Sequence, residues 1–111
     1  MPKLIAEFCQ NHNGDFELLK KMIGAAAESG ATHGKMQTIF ADTVTYRPQF
    51  EDGLVQNGIV KSIKRPYRDE YDRLKGLEIS YAETEKFIKI CKENSLIPMT
   101  TCFTRHHVNQ L

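Results

Sequence analysis

The 111-residue chain has almost no excess of either charge: 15 Lys and Arg stand against 14 Asp and Glu, a formal net charge of +1. Without a clustered basic surplus there is no electrostatic footprint for nucleic acid. Long apolar runs are missing too. None approaches the roughly 18–20 residues that a membrane span needs, so no membrane partner is expected. The opening MPKLIAEFCQ lacks a basic segment followed by a long apolar one, and no secretory signal is expected from it. Cysteines are few. Cys9, Cys91 and Cys102 are odd in number and without CxxC spacing, which argues against a disulfide framework and reads as reduced thiols in a cytoplasmic protein. No Cys and His set stands at ligand spacing, which argues against a self-contained zinc site. His106 and His107 are adjacent, so on a helix they diverge by about 100° and chelate poorly. GAAAESG at 24–30 lies at a helix end and is no phosphate loop. There is no internal repeat in residue identities and no low-complexity segment. What is present, 41% hydrophobic and 26% charged residues, is ordinary globular composition.

Organisation begins at once. KLIAEFC at 3–9 is short, mostly apolar and followed by turn residues, which predicts a buried strand. NHNG at 11–14 supplies turn chemistry, because Asn and Gly tolerate positive φ, and Asp15 is placed to cap a helix beginning at the next residue. From Phe16 to Ser29 the positions Phe16, Leu19, Met22, Ile23, Ala26 and Ala27 recur at helical spacing. Gly30 falls where a left-handed helix end is expected. A second strand is predicted at 33–39, giving a βαβ unit with parallel strands. Ser80 and Glu83 have capping-box spacing. They precede an apolar stripe of Thr84, Phe87, Ile88 and Cys91, with Asn94 as the stop. LIPMTTCF at 96–103 predicts a third strand, and the residues after it the start of another helix.

Residues 40–79 break any periodic pattern at Tyr46, Pro48, Gly53, Gly58 and Pro66. They read as a long irregular excursion with room for a short hairpin or helix. Long connections of this kind often carry function; a solvated loop without a chemical role is the competing reading. The βα alternation defines an α/β chain. A complete (β/α)8 TIM barrel takes roughly 250 residues, so residues 1–111 are expected to hold about the first three of its eight units, an incomplete barrel domain. A complete flavodoxin-like domain would need about five strands, and the excursion does not supply the missing ones.

Strand alternation sorts the side chains that could do chemistry. Glu7 and Cys9 share one face of the first strand, with Ala6 and Phe8 on the other. His33, Lys35 and Gln37 share a face of the second, and Ile97, Met99, Thr101 and Phe103 a face of the third. A carboxylate, an ammonium and an amide on nominally buried strands are expensive unless paired or functional. Lys35 suits an anionic substrate, Thr101 donates to a phosphate or carboxylate, Gln37 orients hydroxyls, and Glu7 serves as acid, base or metal-shell group. Each has a plain alternative: a Glu7–Lys35 ion pair needs no catalysis, His33 reads as an ordinary packed or surface histidine, and His12 either contacts a substrate or holds its turn.

Four blocks then carry a resemblance: AEFCQNHNGD at 6–15, the helix end AAAESGA at 25–31, KMQT at 35–38 and TTCF at 100–103. In this order and separation they resemble the start of the N-acetylneuraminate synthase family, which includes legionaminic and pseudaminic acid synthases and a spore-coat polysaccharide protein. The typical forms are AEIGxNHNGD, AAKxAGAD, KFQT and STPF. The resemblance implies a (β/α)8 barrel, often with a small antifreeze-like domain, in a domain-swapped homodimer. It implies condensation of phosphoenolpyruvate with an N-acylated amino sugar, assisted by a divalent metal, Mn2+ or Mg2+. Carried over by position, Glu7 resembles the carboxylate near the metal and sugar, Lys35 the lysine that holds phosphoenolpyruvate, Gln37 the glutamine beside the substrates, and Thr101 the phosphate-contacting threonine. Asn11 and His12 belong to the signature turn, with no role assigned. Phe8-Cys9 stands in place of Ile-Gly, Met36 in place of Phe, and Thr100 and Cys102 in place of Ser and Pro. The metal-binding histidines and most phosphate contacts are expected on later strands, which this chain does not contain. The alternatives are a catalytically inactive fragment acting in assembly or binding, and an unrelated α/β enzyme using the Glu7/Lys35 pair for isomerase or aldolase chemistry.

Overall fold

The computed structural model describes residues 1–110. In chain order its elements are β1 (Ile5–Cys9), α1 (Phe16–Glu28), β2 (His33–Thr38), β3 (Leu54–Gln56), β4 (Ile59–Ser62), α2 (Tyr67–Lys75), α3 (Tyr81–Glu93), β5 (Ile97–Cys102) and α4 (Arg105–Val108). Two units are distinguished, Met1–Ile39 with the chain from Leu77 onward, and Phe40–Gly76.

The first unit is built on a parallel sheet of order β1-β2-β5. The connection from β1 to α1 is set by local chemistry. Asn13 and Gly14 adopt left-handed backbone, φ 53° and 76°. Asp15 then caps α1, its Oδ1 accepting from the N–H groups of Glu17 and Leu18 at 2.9 and 3.2 Å. The helix ends in a Schellman turn. Gly30, at φ 86°, donates to the Ala27 carbonyl, and Ala31 donates to that of Ala26. The capping box at Ser80 and Glu83 forms in both directions, each bond 3.1 Å.

The other end of α3 stops at Asn94, as the sequence predicts. Asn94 is the last residue before the turn, but the left-handed residue is Ser95, at φ 61°. Ser95 donates to the Lys92 carbonyl and Leu96 to that of Cys91, so this is a second Schellman turn without its usual glycine. Its apolar clasp, Leu96 against Cys91, lies in the core.

That core is Phe8, Leu19, Ile23, Met36, Ile79, Phe87, Cys91 and Leu96. The rings of Phe8 and Phe87 meet edge to face at 6.4 Å. Gly34 makes room for them: a Cβ there would lie 3.0 Å from the Phe8 ring and 3.4 Å from Cys91 Sγ. Burial pushes the Cys91 thiol up to about 11, which makes it an inert packing group.

In the second unit, the stretch expected as an irregular excursion carries both a hairpin and a helix. β3 and β4 pair antiparallel across Asn57-Gly58, at φ 50° and 75°, the conformation of a two-residue hairpin turn. Short 3-10 turns at Ala41–Thr43 and Pro48–Phe50 precede it. Pro66 cannot cap α2 with its side chain; Glu51 does so instead, accepting from the Tyr67 N–H at 2.8 Å. Tyr71 donates to Asp42 at 2.6 Å, and Arg73 pairs with Glu70 at 2.7 Å.

Ser95→Gly removes the penalty for an L side chain in left-handed backbone, about 1 kcal/mol, less part of glycine's extra chain entropy. A higher urea midpoint is expected. An unchanged or lower midpoint would contradict this account of the α3 terminus.

Candidate functional site

Period-two alternation gives the three-stranded sheet two unlike faces. Phe8, Gly34, Met36 and Thr38 are buried on one, where the core forms and where the Thr38 and Thr100 hydroxyls meet at 2.7 Å. Glu7, Lys35, Gln37, Met99 and Thr101 therefore fall on the other. The ladder places Ile5, His33 and Ile97 in one row, and Glu7, Lys35 and Met99 in the next. Gln37 and Thr101 stand side by side one row nearer the C-terminal ends of the strands. The residues singled out on the three strands thus share one face, and Lys35 Nζ lies 2.8 Å from Glu7 Oε2.

Glu7 is held at both oxygens, since its Oε1 accepts from the Cys9 backbone N–H at 3.0 Å. Partial burial pushes this carboxyl up. The Lys35 hydrogen bond, the Cys9 N–H and the Lys35 charge together outweigh burial and hold it below the ordinary carboxylate value. The Cys9 N–H reaches this position through an irregularity in β1. The ladder shifts by one residue between Glu7 and Cys9, and Cys9 takes a left-handed φ of 50°. Partial burial and then the charge and hydrogen bond of Glu7 push its thiol up, so Cys9 is not a thiolate nucleophile.

The signature turn plays a different part. Asn11 is exposed. His12 is 1% exposed, and its Nδ1 accepts from the Gly14 N–H at 2.9 Å. Burial lowers its pKa, so at neutral pH it is an uncharged ring bracing the left-handed turn. Its Nε2 and Gln10 Nε2 are buried with no hydrogen-bond partner. His33 Nδ1 sits 2.7 Å from the Thr32 hydroxyl. His106 is exposed while His107 is buried against Tyr81. A cavity of about 160 Å3, lined by Met36, Thr84, Phe87, Ile88, Pro98, Met99 and Thr100, lies beside α3 and β5 and includes none of the four proposed polar contacts. Among the described residues no three His, Cys, Asp or Glu side chains come together as a metal site. No described helix is long and apolar enough to cross a membrane.

Two residues that the sequence placed on their strand faces were given no role there. Cys9 contributes the backbone donor that fixes Glu7, and its signal was the departure from glycine in the signature block. Met99 stands directly beside Lys35 in the ladder; as an apolar residue it gave no chemical signal.

The fold is α/β, made of parallel βα units of the barrel type with an unclosed sheet, and Glu7, Lys35, Gln37 and Thr101 lie on the sheet face opposite the core. The chain belongs to the NeuB family, whose model matches residues 22–111. It is 32% identical over 108 residues to an N,N'-diacetyllegionaminic acid synthase of Legionella pneumophila, a match covering 97% of this chain and 29% of that protein. It is 34% identical over 73 residues to a pseudaminic acid synthase of Campylobacter jejuni, covering 58% of this chain and 21% of the relative. The fold matches an N-acetylneuraminic acid (sialic acid) synthetase from Leptospira borgpetersenii, crystallised with citrate, with a TM-score of 0.71 at 22% identity over 97% of this chain and 31% of that one. It also matches a putative spore coat polysaccharide biosynthesis protein E from Chromobacterium violaceum, with a TM-score of 0.69 at 22% identity, covering 99% of this chain and 30% of that one. The chain therefore spans under a third of the length of these relatives.

The depressed Glu7 carboxyl sets a pH dependence. A group whose folded pKa is lowered contributes stability above its unfolded value and loses it as pH falls through the folded one. The stability difference between the wild type and Lys35→Met should therefore shrink as pH drops below the ordinary carboxylate range. It should stay small throughout, because both side chains are about one-third exposed (29% and 35%). A 13C titration should also show the Glu7 midpoint rising in Lys35→Met; an unmoved midpoint would contradict the pair's role.

Proposed function

We propose that this chain supplies one wall of the active site of a sugar-acid synthase, which condenses phosphoenolpyruvate with an N-acylated amino sugar to give a nonulosonic acid and phosphate. The observation that carries the reading is the convergence of Glu7, Lys35, Gln37 and Thr101 on the face opposite the core in a NeuB-family sheet. Lys35 is the cation for phosphoenolpyruvate. Thr101 donates its hydroxyl to the phosphate, Gln37 orients the substrates beside it, and Glu7 handles a proton or a hydroxyl of the sugar. A divalent metal, Mn2+ or Mg2+, supplies Lewis-acid chemistry in this reading. Its ligands would come from outside the described residues, and the working enzyme would be a cytoplasmic homodimer.

The second reading is a piece that binds or assembles without catalysis. Calorimetric titration of the 111-residue chain with phosphoenolpyruvate tests whether a half-site is present. Measurable binding is expected, at least tenfold weaker in Lys35→Ala and several-fold weaker in Thr101→Val. Absence of binding in every variant, or full retention in Lys35→Ala, would overturn the half-site. Phosphate release with an N-acyl hexosamine panel and Mn2+ then separates synthase from binding piece.

A further inference from the structure

The Glu7–Lys35 pair has a consequence for any anion arriving on this face. We infer that Glu7 is a built-in competitor for the anionic ligand of Lys35: in the free chain its carboxylate occupies the seat on the ammonium that a phosphate or carboxylate group would take. This rests on the reading of Lys35 as the cation for phosphoenolpyruvate, and it adds how that cation is regulated.

Three observations carry it. The parallel ladder sets Glu7 directly opposite Lys35, so the 2.8 Å contact is imposed by the sheet and is not a chance meeting of two flexible side chains. The second carboxylate oxygen is tied at 3.0 Å to the Cys9 N–H, so the group is pinned from both sides. That N–H is available because β1 shifts register there and Cys9 takes a left-handed φ of 50°. A lysine this well matched meets an incoming dianion with its charge already neutralised, and the ligand also approaches a fixed negative group. Like charges a few ångströms apart in a partly desolvated setting oppose each other far more than in bulk water. The same carboxylate that would serve the reaction therefore weakens binding of the anion beside it.

Glu7→Gln isolates the effect. The amide keeps the length of the side chain and an oxygen for the Cys9 N–H, removes the charge, and presents an NH2 donor to Lys35 where the second carboxylate oxygen was. Phosphoenolpyruvate titrations of the 111-residue wild type, Glu7→Gln and Lys35→Ala are expected to show at least fivefold tighter binding in Glu7→Gln. Glu17→Gln makes the same change in net charge on an exposed position of α1 and should stay within twofold of wild type. In the unsubstituted chain, the 13C carboxylate signal of Glu7 should move as phosphoenolpyruvate saturates, a readout independent of whether any variant folds. If wild type binds but Glu7→Gln binds no tighter, or Glu17→Gln tightens equally, or the Glu7 signal stays put, the competitor role is overturned and the anion site stands. If no variant binds phosphoenolpyruvate, both this inference and the proposed function fall.

Discussion

The edge-to-face contact of Phe8 with Phe87, with Met36 and Gly34 beside it on the sheet, decides which way every strand side chain in the first unit points. Burying one Phe or Met is worth about 1.5–3 kcal/mol, and the cluster does so repeatedly. A strand has no intermediate orientation: slipping by one residue would turn the whole apolar set to solvent and the charged set into the core. Once Phe8 and Met36 face the helices, Glu7, Lys35 and Gln37 must face away. The polar face is thus a corollary of core packing, and it needs no separate folding signal.

That explains why a weak ion pair can be well defined. Two side chains each about one-third exposed gain little stability from pairing, yet ladder geometry and the Cys9 N–H hold them together. The pair's value lies in placement, a cation and a carboxylate at fixed separation with an amide and a hydroxyl one row nearer the strand ends. Such an array is what small anionic and hydroxylated ligands require. It also carries a tension, since the groups proposed to serve the ligand first serve each other.

Much of this was legible from residue order because its causes are local. Asp15, Gly30 and the Ser80–Glu83 box act within a few residues, and alternation along β1, β2 and β5 needs no knowledge of partners. What escaped was non-local or unused. The register shift at Cys9 exists only against β2. The Glu7–Lys35 pair, 28 positions apart, was named as one alternative, and only the alignment of the two strands decides it. Asn94 was legible as the stop of α3, but the left-handed residue, Ser95, was not: the core clasp of Leu96 on Cys91 requires the turn there. The hairpin at Asn57-Gly58 was written in plain turn chemistry. The glycines, prolines and charges around it left residues 40–79 reading as an excursion with room for a short hairpin or helix, but with no position for either.

One face of the sheet is sealed by helices, and the opposite face is the one that would receive the ligand. The direct test of this division is thiol footprinting in a background where Cys9, Cys91 and Cys102 are replaced by serine or alanine. Single cysteines are placed at Gln37 and at Thr38, neighbours in sequence on opposite faces. Rapid labelling is predicted at position 37, slowed by phosphoenolpyruvate, and slow labelling at position 38 with or without it. Equal rates at the two positions, or rapid labelling at 37 that phosphoenolpyruvate leaves unchanged, would contradict it.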